Sequence, residues 1–362
     1  MKSMQLKHVQ STHVQPKSRT APARFLSLHV HCYGKGAAAD GTVKAQPAWK
    51  AIRTKTRHGC ALPFEVYQPL FLYLPHQATH SAGGLELLQA PEENTAKFPY
   101  IGIESRTTYA GMVDALDESV GELLEALEEA GMLNDTILIF ASDNGGDLSG
   151  DNANQGYNWP LRGTKGTLWE GAMRATALVW SPRLARSSTV STQLMHATDW
   201  LPTLYAAAGG RVGDLGALDG VNMWPALSEG GRSPRTELLH QIDNLSGNSA
   251  LRFHNFKLVL GSYGDSLDKR FEVIGRTRPY ADLKKLRQES RVAAVLRRFY
   301  GKRNLFPQGN YWARRGNVTC GQSHGSENFS SGQQYYLFDL DSDPCELRNL
   351  ASQRPAVREQ PK

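Results

Sequence analysis

Apolar and polar positions along this chain follow two rhythms, and the changes between them mark its elements. Three largely apolar runs, Pro69–Leu74, Thr136–Phe140 and Arg174–Trp180, are short and rich in β-branched or aromatic residues. Each predicts a buried strand. Between the first two, Met112, Val113, Leu116, Val120, Leu123, Leu124 and Leu127 recur at steps of three and four from Tyr109 onward, which predicts one face of an amphipathic helix. Asp114, Asp117, Glu118, Glu122, Glu125, Glu128 and Glu129 fill the other face and read as a solvated surface. Gly131 predicts the C-terminal stop. Strand, helix and strand in that order predict a β-α-β unit and a parallel sheet.

A second helix is expected from Thr198 or Asp199 as N-cap, with Pro202 in its first turn and Leu201, Leu204, Tyr205 and Ala208 on its buried face. Beyond about Leu238 the rhythm becomes one of short alternating strands. Ala250–Phe253 and Phe256–Gly261 predict a hairpin around His254-Asn255, and Tyr336–Leu340 a closing strand. Residues 281–300 read as a basic helix, with Leu283, Leu286, Leu296 and Phe299 among Lys284, Lys285, Arg287, Arg291, Arg297 and Arg298. Residues 1–64 show neither rhythm and predict an unstructured leader.

Charge sharpens that boundary. The chain of 362 residues carries a net charge of +6, but the leader holds eleven Lys/Arg against the single acid Asp40, a balance of +10 that leaves −4 for the rest. The basic character belongs to one segment and does not point to nucleic acid. No apolar run is long enough to span a bilayer, and no apolar core follows the basic start to make a signal peptide. His29, His31 and Cys32 lack a second Cys/His pair at zinc spacing. Cys320 and Cys345 are near enough to pair, and four glycosylation sequons begin at Asn134, Asn244, Asn317 and Asn328.

The candidate chemistry sits where strands end. Thr136–Phe140 opens into Ser142-Asp143-Asn144-Gly145-Gly146, which places two hard oxygen donors at a glycine turn, the edge where open α/β sheets collect ligands. The same residues are ordinary turn formers. The run Pro69–Leu74 is followed by His80, and the loop Asn158-Trp159-Pro160-Leu161-Arg162-Gly163-Thr164-Lys165-Gly166-Thr167-Leu168-Trp169-Glu170-Gly171 carries a lysine between two tryptophans. Taken alone, His80 and Lys165 read as surface residues. Together these segments resemble the second half of the sulfatase catalytic domain, and the tryptophan spacing is most similar to its arylsulfatase B-like members. The resemblance runs over about residues 68–352 and includes Asp199–Leu204, Leu218–Val221, Tyr336–Leu340 and Asp343–Leu350. His80 is followed by Ser81-Ala82-Gly83-Gly84, where family members continue with an acid and a proline.

The resemblance implies an α/β, alkaline-phosphatase-like sulfatase sheet with helices on both faces, incomplete here, over 65–237. It implies a small α+β C-terminal subdomain over 238–355. By family the implied activity is sulfuric ester hydrolysis on glycosaminoglycan-type sugars, in a lysosomal or secreted glycoprotein. Asp143 and Asn144 fall at calcium ligands, Lys165 at a sulfate contact, and His80 at a sulfate contact or acid for the leaving group. Formylglycine, the family's nucleophile, arises from cysteine in Cys-x-Pro/Ala-x-Arg. None of Cys32, Cys60, Cys320 and Cys345 stands in that pattern, and no Asp-Asp pair occurs. The chain as written is therefore expected to be inactive, with a leader that reflects a truncated or mis-joined gene model or an alternative transcript. Two rivals are a non-catalytic binder of sulfated glycan, using Lys165 and the basic helix, and a metal-dependent phosphodiesterase of the same superfamily.

Overall fold

A computed structural model of the chain describes residues 26–29, 70–82, 86–148, 153–263, 288–301, 318, 320 and 332–355. The apolar runs become β2 (Leu70–Tyr73), β3 (Leu138–Ala141) and β4 (Ala177–Trp180). The amphipathic segment becomes α1 (Glu104–Glu129). Its end is sequence-encoded: Gly131, at φ 68, donates to Glu128 O at 2.9 Å, and Met132 N donates to Leu127 O at 2.9 Å. These two bonds close a Schellman turn, which satisfies carbonyls the helix itself leaves open.

The sheet arrangement differs from the parallel β-α-β unit expected. Strand β3 pairs antiparallel with β4, with Leu138 opposite Trp180 and Ala141 opposite Ala177. The expected unit ran from β2 through α1 to β3, whereas β3 takes β4 as its partner after a connection whose described residues hold the short helix α2 (Glu170–Met173). Strand β2 instead pairs in parallel with β1 (Leu26–His29). Those four residues lie in the segment read as an unstructured leader; the rest of 1–64 lies outside the described residues.

The C-terminal part is an antiparallel sheet of β5 (Glu237–Ile242), β6 (Ser249–Phe253), β7 (Phe256–Leu260) and β8 (Tyr335–Asp339), in that order. The expected hairpin is β6–β7, with Phe253 opposite Phe256 and His254 at φ 52 in its two-residue turn. Helix α3 (Trp200–Ala207) follows a short 3-10 turn, Ala197–Asp199, and buries Pro202 and Thr203, whereas Leu201 is exposed. Asp199 stands at the N-cap of α3 without a side-chain bond to it, and its carboxylate turns elsewhere. It accepts from His196 N at 2.7 Å, Val221 N at 2.8 Å and both Arg235 Nε (2.8 Å) and Nη2 (2.6 Å). One buried carboxylate, its proton affinity lowered by these donors against the opposing effect of burial, thus ties His196–Asp199 to Leu218–Val221.

Helix α4 (Arg291–Tyr300) is the described part of the basic segment; 281–287 lies outside the described residues. Ser290 Oγ caps it at Ala293 N, and Val292, Val295, Leu296 and Phe299 pack on Leu124, Leu127, Leu133 and Trp180. The approach is close at Gly121, where a Cβ would lie 2.7 Å from that of Arg291. Arg291 pairs with Glu122 at 2.8 Å and Glu125 at 2.7 Å, and Arg298 with Glu128 at 2.6 Å. Three of the acids read as a solvated face are therefore partners of the basic helix, and two of its arginines are engaged by α1.

Candidate functional site

The site is built where the chain leaves β3. Ser142 Oγ donates to Asn144 O at 2.8 Å and Asn144 Nδ2 to Gly145 O at 2.8 Å, which closes a tight turn. The two glycines that follow are demanded by contact. A Cβ on Gly145 would stand 1.8 Å from Gly171 O, and one on Gly146 2.2 Å from Gly156 O. No side chain fits between these backbones.

The tryptophan loop folds back onto this turn. Asn158 accepts from Gly146 N at 2.7 Å and donates to Gly146 O and Gly163 O, each at 3.0 Å. Thr164 Oγ1 donates to Gly146 O at 2.9 Å and accepts from Leu148 N at 3.1 Å. Lys165 N donates to Gly146 O at 3.0 Å. The far end of the loop is anchored in the C-terminal sheet. Trp169 is fully buried, edge-on to Tyr336 at 5.3 Å and Phe338 at 6.0 Å, within a core of Leu168, Ala250, Val259 and Leu340. Beside it, Lys257 on β7 lies 3.0 Å from Glu170 and 2.8 Å from Glu346, and Glu170 N donates to Glu346 Oε2 at 2.7 Å. All three side chains are buried. Burial opposes the lysine's charge, but the two carboxylates outweigh it and raise its proton affinity. Burial also pushes the Glu346 carboxyl up, whereas Lys257 overcomes burial at Glu170 and holds that carboxyl down. The disulfide Cys320–Cys345 fixes the residue next to Glu346.

With the loop held at both ends, Lys165 Nζ reaches His80 Nε2 at 3.0 Å, across 85 residues of sequence. His80 Nδ1 lies 2.8 Å from Ser81 O. A carbonyl can only accept, so Nδ1 carries the ring proton and Nε2 accepts from the lysine. The structure thus joins two of the four residues singled out in the sequence. Asp143 and Asn144 lie on the turn whose Gly146 receives the Lys165 backbone bond, with no hydrogen bond to the pair among the described residues.

Asp143 and Asn144 fit calcium in kind and not in number. Asp143 is exposed, and neither its carboxylate nor Asn144 Oδ1 has a hydrogen-bond partner among the described residues. Calcium takes about six to eight oxygens, and among the described residues no group of three or more His, Cys, Asp or Glu could hold a metal. The described residues do not make a complete calcium site.

Sequence reasoning missed Asn154, the clamp made by Asn158, and the Lys257–Glu170–Glu346 cluster. Asn158 was visible only as part of the loop. Lys257 stands 87 residues from Glu170, and nothing in an alternating strand marks one lysine as buried.

Residues 65–210 match the sulfatase family model. The chain is 34% identical over 308 residues to arylsulfatase J of Mus musculus, covering 80% of this chain and 43% of that relative. It is 32% identical over 200 residues to N-acetylgalactosamine-6-sulfatase of Homo sapiens, covering 55% and 34% respectively. Among solved structures, that of Ps i-CgsB superposes with a TM-score of 0.54 at 26% identity, over 85% of this chain and 49% of that one. The chain thus spans less than half the length of each of these relatives. The mixed α/β architecture is that of the alkaline-phosphatase-like sulfatases. Residues 65–210, which include the Asp143 turn, His80 and Lys165, are thus similar to the sulfatase family.

Proposed function

We propose that this segment is the sulfate-holding part of a sulfuric ester hydrolase site. Lys165 and His80 contact the sulfate, and Asp143 and Asn144 are the chain's contribution to a calcium cradle. The 3.0 Å approach of Lys165 Nζ to His80 Nε2 carries this reading. A sulfate monoester spreads one negative charge over its non-bridging oxygens, and its cleavage builds charge on the leaving alcohol. The lysine ammonium has three donors for the former. The His80 imidazole, its Nδ1 proton held by Ser81 O, takes a proton at Nε2 from the adjacent Lys165 ammonium and passes it to the latter. By type the reading is arylsulfatase B-like, with a sulfated N-acetylgalactosamine-type sugar or an aryl sulfate as substrate. No cysteine here stands in the formylglycine pattern, and Cys320 and Cys345 are joined to each other. The residues present therefore bind and orient the ester without supplying that nucleophile. The disulfide suits an oxidising compartment, in keeping with a lysosomal or secreted setting.

Titration calorimetry of the chain with inorganic sulfate at low ionic strength tests the reading. Sulfate is expected to bind, and Lys165→Ala to weaken binding about tenfold or more, as for loss of a hydrogen bond to a charged group. Sulfate affinity indifferent to both Lys165→Ala and His80→Ala would overturn it.

A further inference from the structure

We infer that Asn154 is the positioning residue that sets His80 against Lys165; the inference rests on the sulfate-holding reading of that pair. Asn154 Nδ2 donates to Thr79 O at 3.2 Å, one residue before His80 and 75 residues away in sequence. The same side chain accepts through Oδ1 from Asp147 N and Gly156 N, each at 3.0 Å. Two backbone donors on one amide atom fix that atom as oxygen, so the amino group has no orientation but toward Thr79. Asn154 N also donates to Asp147 O at 2.8 Å. One asparagine therefore ties the turn after β2, which carries His80, to the segment after β3 that supports Lys165.

The segment around Asn154 is braced from behind. Gln155 sits at φ 63, an uncommon conformation outside glycine. Its carbonyl accepts from Arg106 Nη1, and the guanidinium lies 4.5 Å from the Tyr157 ring centre and 5.1 Å from that of Tyr109. Arg106 is in the first turn of α1, where the helix dipole disfavours a cation. The carbonyl and the two ring faces are the partners that hold it there. Gly156, between Gln155 and Tyr157, touches Gly146 so closely that its Cβ would lie 3.0 Å from Gly146 Cα. Arg106 thus holds 154–157 against the turn, and Asn154 carries that placement across to His80.

Asn154→Asp separates the two halves of this role. An aspartate keeps the acceptor for Asp147 and Gly156, so the turn is retained. It replaces the donor to Thr79 with a second oxygen, which repels the carbonyl. With imidazole nitrogen-15 NMR on the folded chain, the wild type is expected to show His80 protonated at Nδ1, and Asn154→Asp to lose that signature at unchanged melting temperature. Inorganic sulfate is expected to bind the variant about fivefold more weakly, the equivalent of one hydrogen bond. Should the aspartate variant fail to fold, Asn154→Ser keeps an acceptor for the turn but is too short to reach Thr79, and the same loss is expected. An Asn154 variant that folds with the His80 spectrum intact overturns the inference. If the wild type binds no sulfate while the spectrum still changes, the positioning role stands and the sulfate reading falls.

Discussion

The two ends of the Lys165 loop rest on very different ground. On one side β3 and β4 form a two-stranded ribbon with a large apolar side chain open to solvent, Leu178 being 49% exposed. At its end, Trp169 enters a four-stranded sheet in which Val259, Tyr336 and Phe338 are each 0% exposed. The lysine follows β3 in sequence, yet the far anchor of its loop belongs to the C-terminal sheet. That sheet is part of the site's construction and more than an appended domain.

The largest effect should come from the buried charges. Lys257→Met leaves Glu170 and Glu346 facing each other without their cation, and a cost of about 3–5 kcal/mol is expected in denaturant unfolding. Trp169→Ala, which opens a cavity beside Tyr336 and Phe338, should cost about 3–5 kcal/mol, and it should also free Lys165 from His80. Sulfate affinity should fall with it; an unchanged affinity would separate the two regions again.

The next effect is one of pH. Burial, with the charge of Lys257 adding and that of Glu170 opposing, pushes the His240 imidazole from 6.5 down to about 3. Between those values the unfolded chain binds the proton and the folded chain does not, so stability falls as pH is lowered through that window. Between pH 6.5 and 5 the loss from this group is about 2 kcal/mol, and His240→Gln should remove its share of the slope. The smallest effect belongs to the open ribbon, where Leu178→Ser should change stability by no more than about 0.5 kcal/mol.

Much of this was legible in the sequence, and the rest was hidden for identifiable reasons. The elements announced themselves wherever periodicity was strong: α1 by its three-and-four spacing, β6–β7 by two alternating runs around His254-Asn255. His80, Asp143, Asn144 and Lys165 were visible as residues placed after apolar strands. The partner of β3 was not, because an apolar run announces a strand without showing which strand lies beside it. The exposure of Leu201 was hidden because helical spacing shows a face and not what covers it. Asn154 and Lys257 were invisible for a simpler reason. A polar loop residue and a strand lysine have no local signature, and each takes its role from a partner 75 or 87 residues away.

The most direct measurement is a double-mutant cycle on sulfate affinity, with His80→Ala, Lys165→Ala and both together. If the 3.0 Å pair acts as one anion-holding unit, the two losses should be non-additive, with a coupling of about 0.5–3 kcal/mol. Strictly additive losses, or none, would mean that the two residues meet without sharing a ligand.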